Sequence, residues 1–209
     1  MNYHDESMNN IKSCNGKSIE TLTEKLRYLF PKNIVLIGFM GAGKSSLASY
    51  LAEQFNMRTV ETDREIVERE GIGIPEIFEQ YGEVYFRDRE SEVIRDLGSD
   101  SQTVISAGGG AVLRDENVEN MKANGIIVLL TATPKAILDR VKSSTERPLL
   151  NGKMNEDYIA ALMEKRRARY EDVADLIIDT TDKTIPEVCE EMILKLPAIV
   201  NQTKQTGLF

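Results

Sequence analysis

The chain of 209 residues has little with which to build a metal centre or a disulfide scaffold: two cysteines, Cys14 and Cys189, and a single histidine, His4. A structural zinc site needs about four clustered nitrogen or sulfur ligands, which such scattered residues cannot supply. Both cysteines are therefore expected as reduced thiols, and His4, near a chain end, is expected to play no catalytic part. Positive charge is also in short supply. With 26 Lys and Arg against 34 Asp and Glu, the net charge of -8 excludes a general affinity for nucleic acid or an anionic membrane, so any anion site has to be local. Long apolar runs are missing as well. The longest, around 125–132, falls far short of the ~20 residues that a membrane-spanning helix needs. The first 30 residues lack an apolar run followed by a small-residue cleavage site, so no secretory signal is expected and the cytoplasm is the expected location.

What the chain does have is an ordinary globular balance, 41% hydrophobic and 29% charged residues, over a length that suits one domain. Residues 1–32 stand apart as an N-terminal extension. Within it Ile19, Leu22, Leu26 and Leu29 recur at helical spacing behind Ser18, a suitable N-cap, so an appended amphipathic helix is expected over 18–30, as a packing extension in preference to a regulatory or oligomer contact. From Asn33 onward, short apolar runs alternate with amphipathic stretches, the pattern of βαβ units around a parallel sheet. Strands are expected at 34–37, 58–61, 103–106, 126–130 and 176–178, and helices at 44–54, 63–69, 83–97, 117–123, 135–142, 156–170 and 186–196. The expected fold is α/β, a three-layer α/β/α domain over 33–197 with a five-stranded parallel sheet, followed by a frayed tail at 198–209.

Gly38-Phe39-Met40-Gly41-Ala42-Gly43-Lys44-Ser45 fits G-x-x-x-x-G-K-[ST], the phosphate-binding P-loop, and it lies between an expected strand and an expected helix as that motif requires. The glycines let the backbone fold closely around phosphate oxygens, where N–H groups converge with the positive end of the helix dipole. Lys44 supplies a point charge for the β- and γ-phosphates, and the Ser45 hydroxyl can ligate Mg²⁺. A glycine-rich turn that merely links strand to helix is disfavoured by this context. The expected architecture is thus a P-loop NTPase fold.

Glu61-Thr62-Asp63 places two carboxylates at the carboxyl end of the second strand, where open α/β sheets bind ligands. Alternation along the strand sends both to one side. There one could hold Mg²⁺ through water while the other accepts a hydrogen bond, and later a proton, from an attacking hydroxyl. Asp63 could instead cap the next helix. Ser106-Ala107-Gly108-Gly109-Gly110-Ala111 ends the third strand, and its three successive glycines permit either close approach to a ligand or simply a flexible connection. Arg87, Arg89, Arg147, Arg166 and Arg169 carry forked donors suited to carboxylate or phosphate, whereas Arg167 is read as a solvated helix-face charge.

Taken in order, these residues resemble shikimate kinase from about 33 to 196. The resemblance is carried by six motifs in sequence: the GFMGAGKSS loop, the acidic ETD, Tyr85-Phe86-Arg87, the GGGA turn, Arg147-Pro148-Leu149-Leu150, and Lys165-Arg166 followed by Tyr170. It implies a kinase that uses ATP as co-substrate and Mg²⁺ to phosphorylate the 3-hydroxyl of shikimate on the way to aromatic amino acids. Gly41, Ala42, Gly43, Lys44, Ser45 and Ser46 would hold the phosphates. Asp63 would touch the shikimate hydroxyls and serve as base, Arg87 and Arg166 would bind its carboxylate, and Gly108, Gly109 and Gly110 would hold the ring. Arg147 would close onto the ATP phosphates from a mobile lid, which the polar segment 143–155 could form. Arg140 would pack against adenine, with Pro186 near that pocket. The catalytic set is then Lys44, Asp63 and Arg147.

One position departs from the family pattern: Glu61 stands where a shorter aspartate is usual, so a water-mediated Mg²⁺ contact has to be made by a longer arm. Two other readings stay open, a gluconate-kinase-like enzyme and a nucleotide-binding module without turnover. The expected partner is the small molecule alone, bound by a monomer, with no nucleic acid and no membrane.

Overall fold

The computed structural model describes residues 32–142 and 155–205. The helix expected over 18–30, Cys14, His4, Arg147 and all of the 143–155 segment except Asn155 lie outside the described residues. Five strands form: β1 (Asn33–Ile37), β2 (Arg58–Glu61), β3 (Thr103–Ser106), β4 (Gly125–Thr131) and β5 (Leu176–Asp179). They make one parallel sheet in the order β2-β3-β1-β4-β5.

Interior strands of a parallel sheet are covered on both faces and must be apolar on both. In β1 and β4, Ile34, Leu36, Val128 and Leu130 enter one core layer, while Val35, Ile37, Ile127 and Leu129 enter the other. The first layer is closed by α1 (Lys44–Phe55), α5 (Pro134–Lys142) and α7 (Ile185–Gln205). The second is closed by α2 (Thr62–Glu70), α3 (Ile74–Gly98) and α4 (Asp115–Ala123). The remaining helix, α6 (Glu156–Val173), serves both, with Ile159 in the first layer and Tyr170 and Val173 in the second.

Register decides what meets above the sheet. Leu36 of β1 pairs with Ser106 of β3, and Ser106 pairs with Glu61 of β2, so the segments that follow these three strands leave the sheet at one level. Buried Asn33 sets the other end. Its side-chain amide donates to the carbonyls of Leu97 (3.2 Å) and Asp100 (3.0 Å), and its Oδ1 accepts from the Thr103 N–H (3.1 Å).

Two helices exceed their sequence expectation. The first is α3, expected from residue 83, which begins at Ile74 and is broken at Gly82 (φ 81°, ψ 174°). Gly71, Gly73, Pro75 and Gly82 read as loop punctuation, yet Pro75 sits in the first turn, where a missing N–H is tolerated, and Ile77 is fully buried. The second is α7, which runs through Pro197 to Gln205, into the stretch expected to fray. An interior proline disfavours a helix by about 3 kcal/mol. Here Leu196 is buried and Ile199 packs against the same core cluster, so tertiary contacts carry the helix past it. No helix among the described residues is long and apolar enough to cross a membrane.

Candidate active site

The loop between Ile37 and Lys44 owes its shape to glycine. Gly38, Gly41 and Gly43 have φ of 140°, 76° and 101°, conformations that L side chains rarely adopt. Space is short as well: a methyl on Gly38 would lie 2.3 Å from the Leu130 carbonyl oxygen, and one on Gly41 would lie 2.9 Å from Val141 Cγ2. Gly43 precedes α1, whose first turn carries no acidic side chain to offset the positive end of the helix. Lys44 arches back over the loop and donates to the carbonyls of Gly38 (2.9 Å) and Phe39 (3.2 Å).

From this loop a cleft of about 750 Å³ runs along the top of the sheet to the glycine turn after β3. Gly41, Ala42, Gly43, Lys44, Ser45 and Ser46 line one end of it. Beside them Arg140 donates to the Gly41 carbonyl (3.2 Å), to Thr180 Oγ1 (3.0 Å) and to the Thr180 carbonyl (2.6 Å). Buried Thr180 in turn reaches the Ala42 carbonyl (3.1 Å), which ties the loop to the end of β5. Pro186 does not line the cleft. Its neighbour Ile185 does, since each helical residue turns the side chain by about 100°.

Asp63 lines the opposite end. α2 begins at Thr62 with Glu61 as its N-cap residue and no side-chain cap bond, so Asp63 is a first-turn residue and not the cap. Thr62 is fully buried, and its Oγ1 accepts the Gly108 N–H (2.9 Å). That contact brings the acidic corner against the glycine turn. A methyl on Gly108 would lie 2.6 Å from Asp63 Oδ1 and 2.7 Å from Glu90 Oε1, and one on Gly110 would lie 2.5 Å from Arg87 Nη1. At Gly108 and Gly110, ionic side chains already fill the room that a side chain would need.

Arg87 and Glu90 stand one helical turn apart on α3, with Nη1 2.8 Å from Glu90 Oε2 and Nη2 3.2 Å from Glu83. Glu90 is fully buried, and its Oε1 has no hydrogen-bond partner among the described residues. Burial pushes the Glu90 carboxyl above the ordinary carboxylate range; Arg87 opposes this and the Asp63 carboxylate adds to it. Burial works against the charge of Arg87, but Glu90 and Glu83 outweigh it and hold the guanidinium above its usual range.

From α6, Arg166 donates to the Gly109 carbonyl at 3.4 Å, and the Tyr170 hydroxyl donates to the same oxygen. Burial raises the Tyr170 phenol, partly opposed by neighbouring Arg166. The other candidate arginines lie elsewhere. Arg89 pairs with Glu92 (2.6 Å), and Arg169 clamps the Val112 carbonyl (2.7 Å) and Asp115. Arg167 pairs with Glu164 on the surface, as read from the sequence. Sequence reasoning missed Glu90, Thr62, Thr180 and Ile185. Only Glu90 left a signal, an acid three residues after Arg87 on the same helix.

No group of three or more His, Cys, Asp or Glu residues gathers as a metal site among the described residues. The Ser45 hydroxyl and the Glu61 carboxylate do both line the cleft. Two hard oxygen donors suit Mg²⁺, which keeps most of its shell for water and phosphate.

The family model for shikimate kinase matches residues 40–197. A shikimate kinase of Geobacter sulfurreducens is 46% identical over 77% of this chain and 88% of its own length. One of Thermodesulfovibrio yellowstonii is 42% identical over 81% of this chain and 98% of its own. Among solved structures, the shikimate kinase of Acinetobacter baumannii in complex with shikimate superposes with a TM-score of 0.75 at 34% identity, covering 83% of this chain and 97% of that one. A cleft with a P-loop at one end and an acid, a glycine turn and two arginines at the other, on a chain so matched, belongs to the shikimate kinase family, phosphotransferases that use ATP with Mg²⁺ and take an alcohol group as acceptor.

Proposed function

We propose that the two ends of the cleft divide the reaction between them. The enzyme transfers the γ-phosphate of ATP to the 3-hydroxyl of shikimate, giving shikimate 3-phosphate and ADP. Phosphoryl transfer passes through a loose transition state, so the protein's task is alignment and charge neutralisation. On the nucleotide side, Lys44 exchanges its two loop carbonyls for the β- and γ-phosphates, the α1 N-terminus and the loop N–H groups cradle them, and Arg140 and Ile185 flank the base. Arg147 joins them from the 143–155 segment. The Ser45 hydroxyl, and Glu61 through water, would hold Mg²⁺, which supplies further charge neutralisation when bound.

On the acceptor side, Arg87 and Arg166 take the carboxylate, Gly109 and Gly110 offer backbone N–H groups to it, and Asp63 receives the proton of the attacking hydroxyl. One observation carries this reading: Arg87 is paired with Glu90, and Arg87, Glu90 and Asp63 all crowd the glycine turn in the same cleft as Lys44. The complex of the Acinetobacter relative with shikimate supports it. We place the enzyme in the cytoplasm as a monomer with no nucleic-acid or membrane partner, its kinase domain spanning 33–197. The test is ADP release with shikimate, gluconate or no acceptor, with and without Mg²⁺. Shikimate- and Mg²⁺-dependent ADP is expected; equal ADP without acceptor, or a preference for gluconate, overturns the reading.

A further inference from the structure

Three successive glycines have no Cβ to select one backbone conformation, so the shape of the turn has to be imposed from outside. The structure shows how. The Gly108 N–H is held by Thr62 Oγ1, the Gly108 carbonyl accepts from the Ala111 N–H (3.1 Å), and the Gly110 carbonyl accepts from the Leu113 N–H (3.0 Å). The remaining carbonyl, that of Gly109, is held by side chains alone, the Tyr170 hydroxyl and the longer 3.4 Å contact from Arg166. A trans peptide is planar, with its N–H opposed to its C=O. Fixing the Gly109 oxygen therefore points the Gly110 N–H away from Tyr170, and Gly110 itself lines the cleft, with Arg87 beside its Cα. Tyr170 itself is 5% exposed and belongs to the core of α6, so its hydroxyl is a rigid post.

We propose that Tyr170 is a positioning residue for the acceptor: by anchoring the Gly109 carbonyl it orients the Gly110 N–H toward the shikimate carboxylate. The proposal rests on the acceptor placement given above. Tyr170→Phe removes the hydroxyl and keeps the packed ring. With the full chain, the shikimate Kd by titration calorimetry and the shikimate KM should both rise about fivefold, the worth of one hydrogen bond. The ATP KM, kcat and Tm should stay close to wild type, and the Gly110 amide signal of the ligand-free protein should shift or broaden in ¹⁵N NMR spectra. An unchanged shikimate Kd with an unchanged Gly110 signal overturns the proposal. So does a joint loss in kcat, both KM values and Tm, which would make Tyr170 a packing residue only. If wild-type protein fails to bind shikimate, or binds it indifferently to Arg87→Ala, the acceptor placement falls and this role falls with it. If wild-type binding depends on Arg87 while Tyr170→Phe is silent, the role of Tyr170 alone is refuted.

Discussion

Gly110→Ala tests the proposed acceptor role of Arg87 without replacing the arginine. Gly110 has φ -104° and ψ -5°, which alanine can adopt, so the substitution adds no backbone strain. Its methyl would lie 2.5 Å from Arg87 Nη1 and 2.6 Å from both Cζ and Nη2. Comfortable separations are about 3.5 Å, so the guanidinium has to move by on the order of 1 Å. It cannot do so freely, since buried Glu90 holds Nη1 and Glu83 holds Nη2. On the proposed placement, a displaced guanidinium forfeits its charged hydrogen bond to the shikimate carboxylate, worth about 1.5–3 kcal/mol, which corresponds to a shikimate KM about ten- to a hundredfold higher. The ATP KM should not follow. Steady-state kinetics of the single variants and of Gly110→Ala/Arg87→Ala decide the matter. If the methyl acts through Arg87, the double variant is no worse than Arg87→Ala alone. A wild-type shikimate KM in Gly110→Ala, or fully additive losses, would refute the steric argument.

Lys44→Ala should lower kcat by about a hundredfold or more, because charge stabilisation in the transition state is lost; normal turnover would remove Lys44 from that role. Glu61→Ala should raise the Mg²⁺ concentration needed for half-maximal rate while Glu61→Asp leaves it nearly unchanged, and an unaltered Mg²⁺ titration in the alanine variant would exclude Glu61 from the metal. Glu90 predicts a pH signature in stability. Its folded-state pKa is raised above the ordinary 4.5, so between the two values the folded protein binds more protons than the unfolded chain and stability falls as pH rises. Glutamine cannot ionise, so the Tm of Glu90→Gln relative to wild type should improve as pH rises above the ordinary 4.5, and a flat difference would contradict the assignment.

The nucleotide end of the site was legible because its physics is local. A phosphate cradle needs glycines, a lysine and a hydroxyl at fixed spacing between a strand and a helix, and Gly38 to Ser45 supply them in eight consecutive residues. The strands were legible for the same reason, as apolar runs between turn signals. Elements whose stability comes from distant contacts were not. The first part of α3 hides behind Gly73, Pro75 and Gly82 because Ile77 is buried by partners elsewhere in the chain, and α7 passes Pro197 because Leu196 and Ile199 pack on the core. That Ile185, the neighbour of Pro186, lines the cleft depends on a helical phase that spacing alone does not set.

The sequence by itself determined that a P-loop stands between β1 and α1, and its order of motifs pointed to the shikimate kinase family. Only the tertiary structure decided how the acceptor end is built. Strand register sets Glu61 level with Ser106, and this brings Thr62 to Gly108, while the packing of α3 and α6 on the aligned sheet brings Glu90 beside Gly108 and Tyr170 to Gly109. Those contacts join residues up to 61 positions apart. A hydrogen bond across such a distance exists only once the sheet has aligned the strand ends, so no local pattern could have announced it.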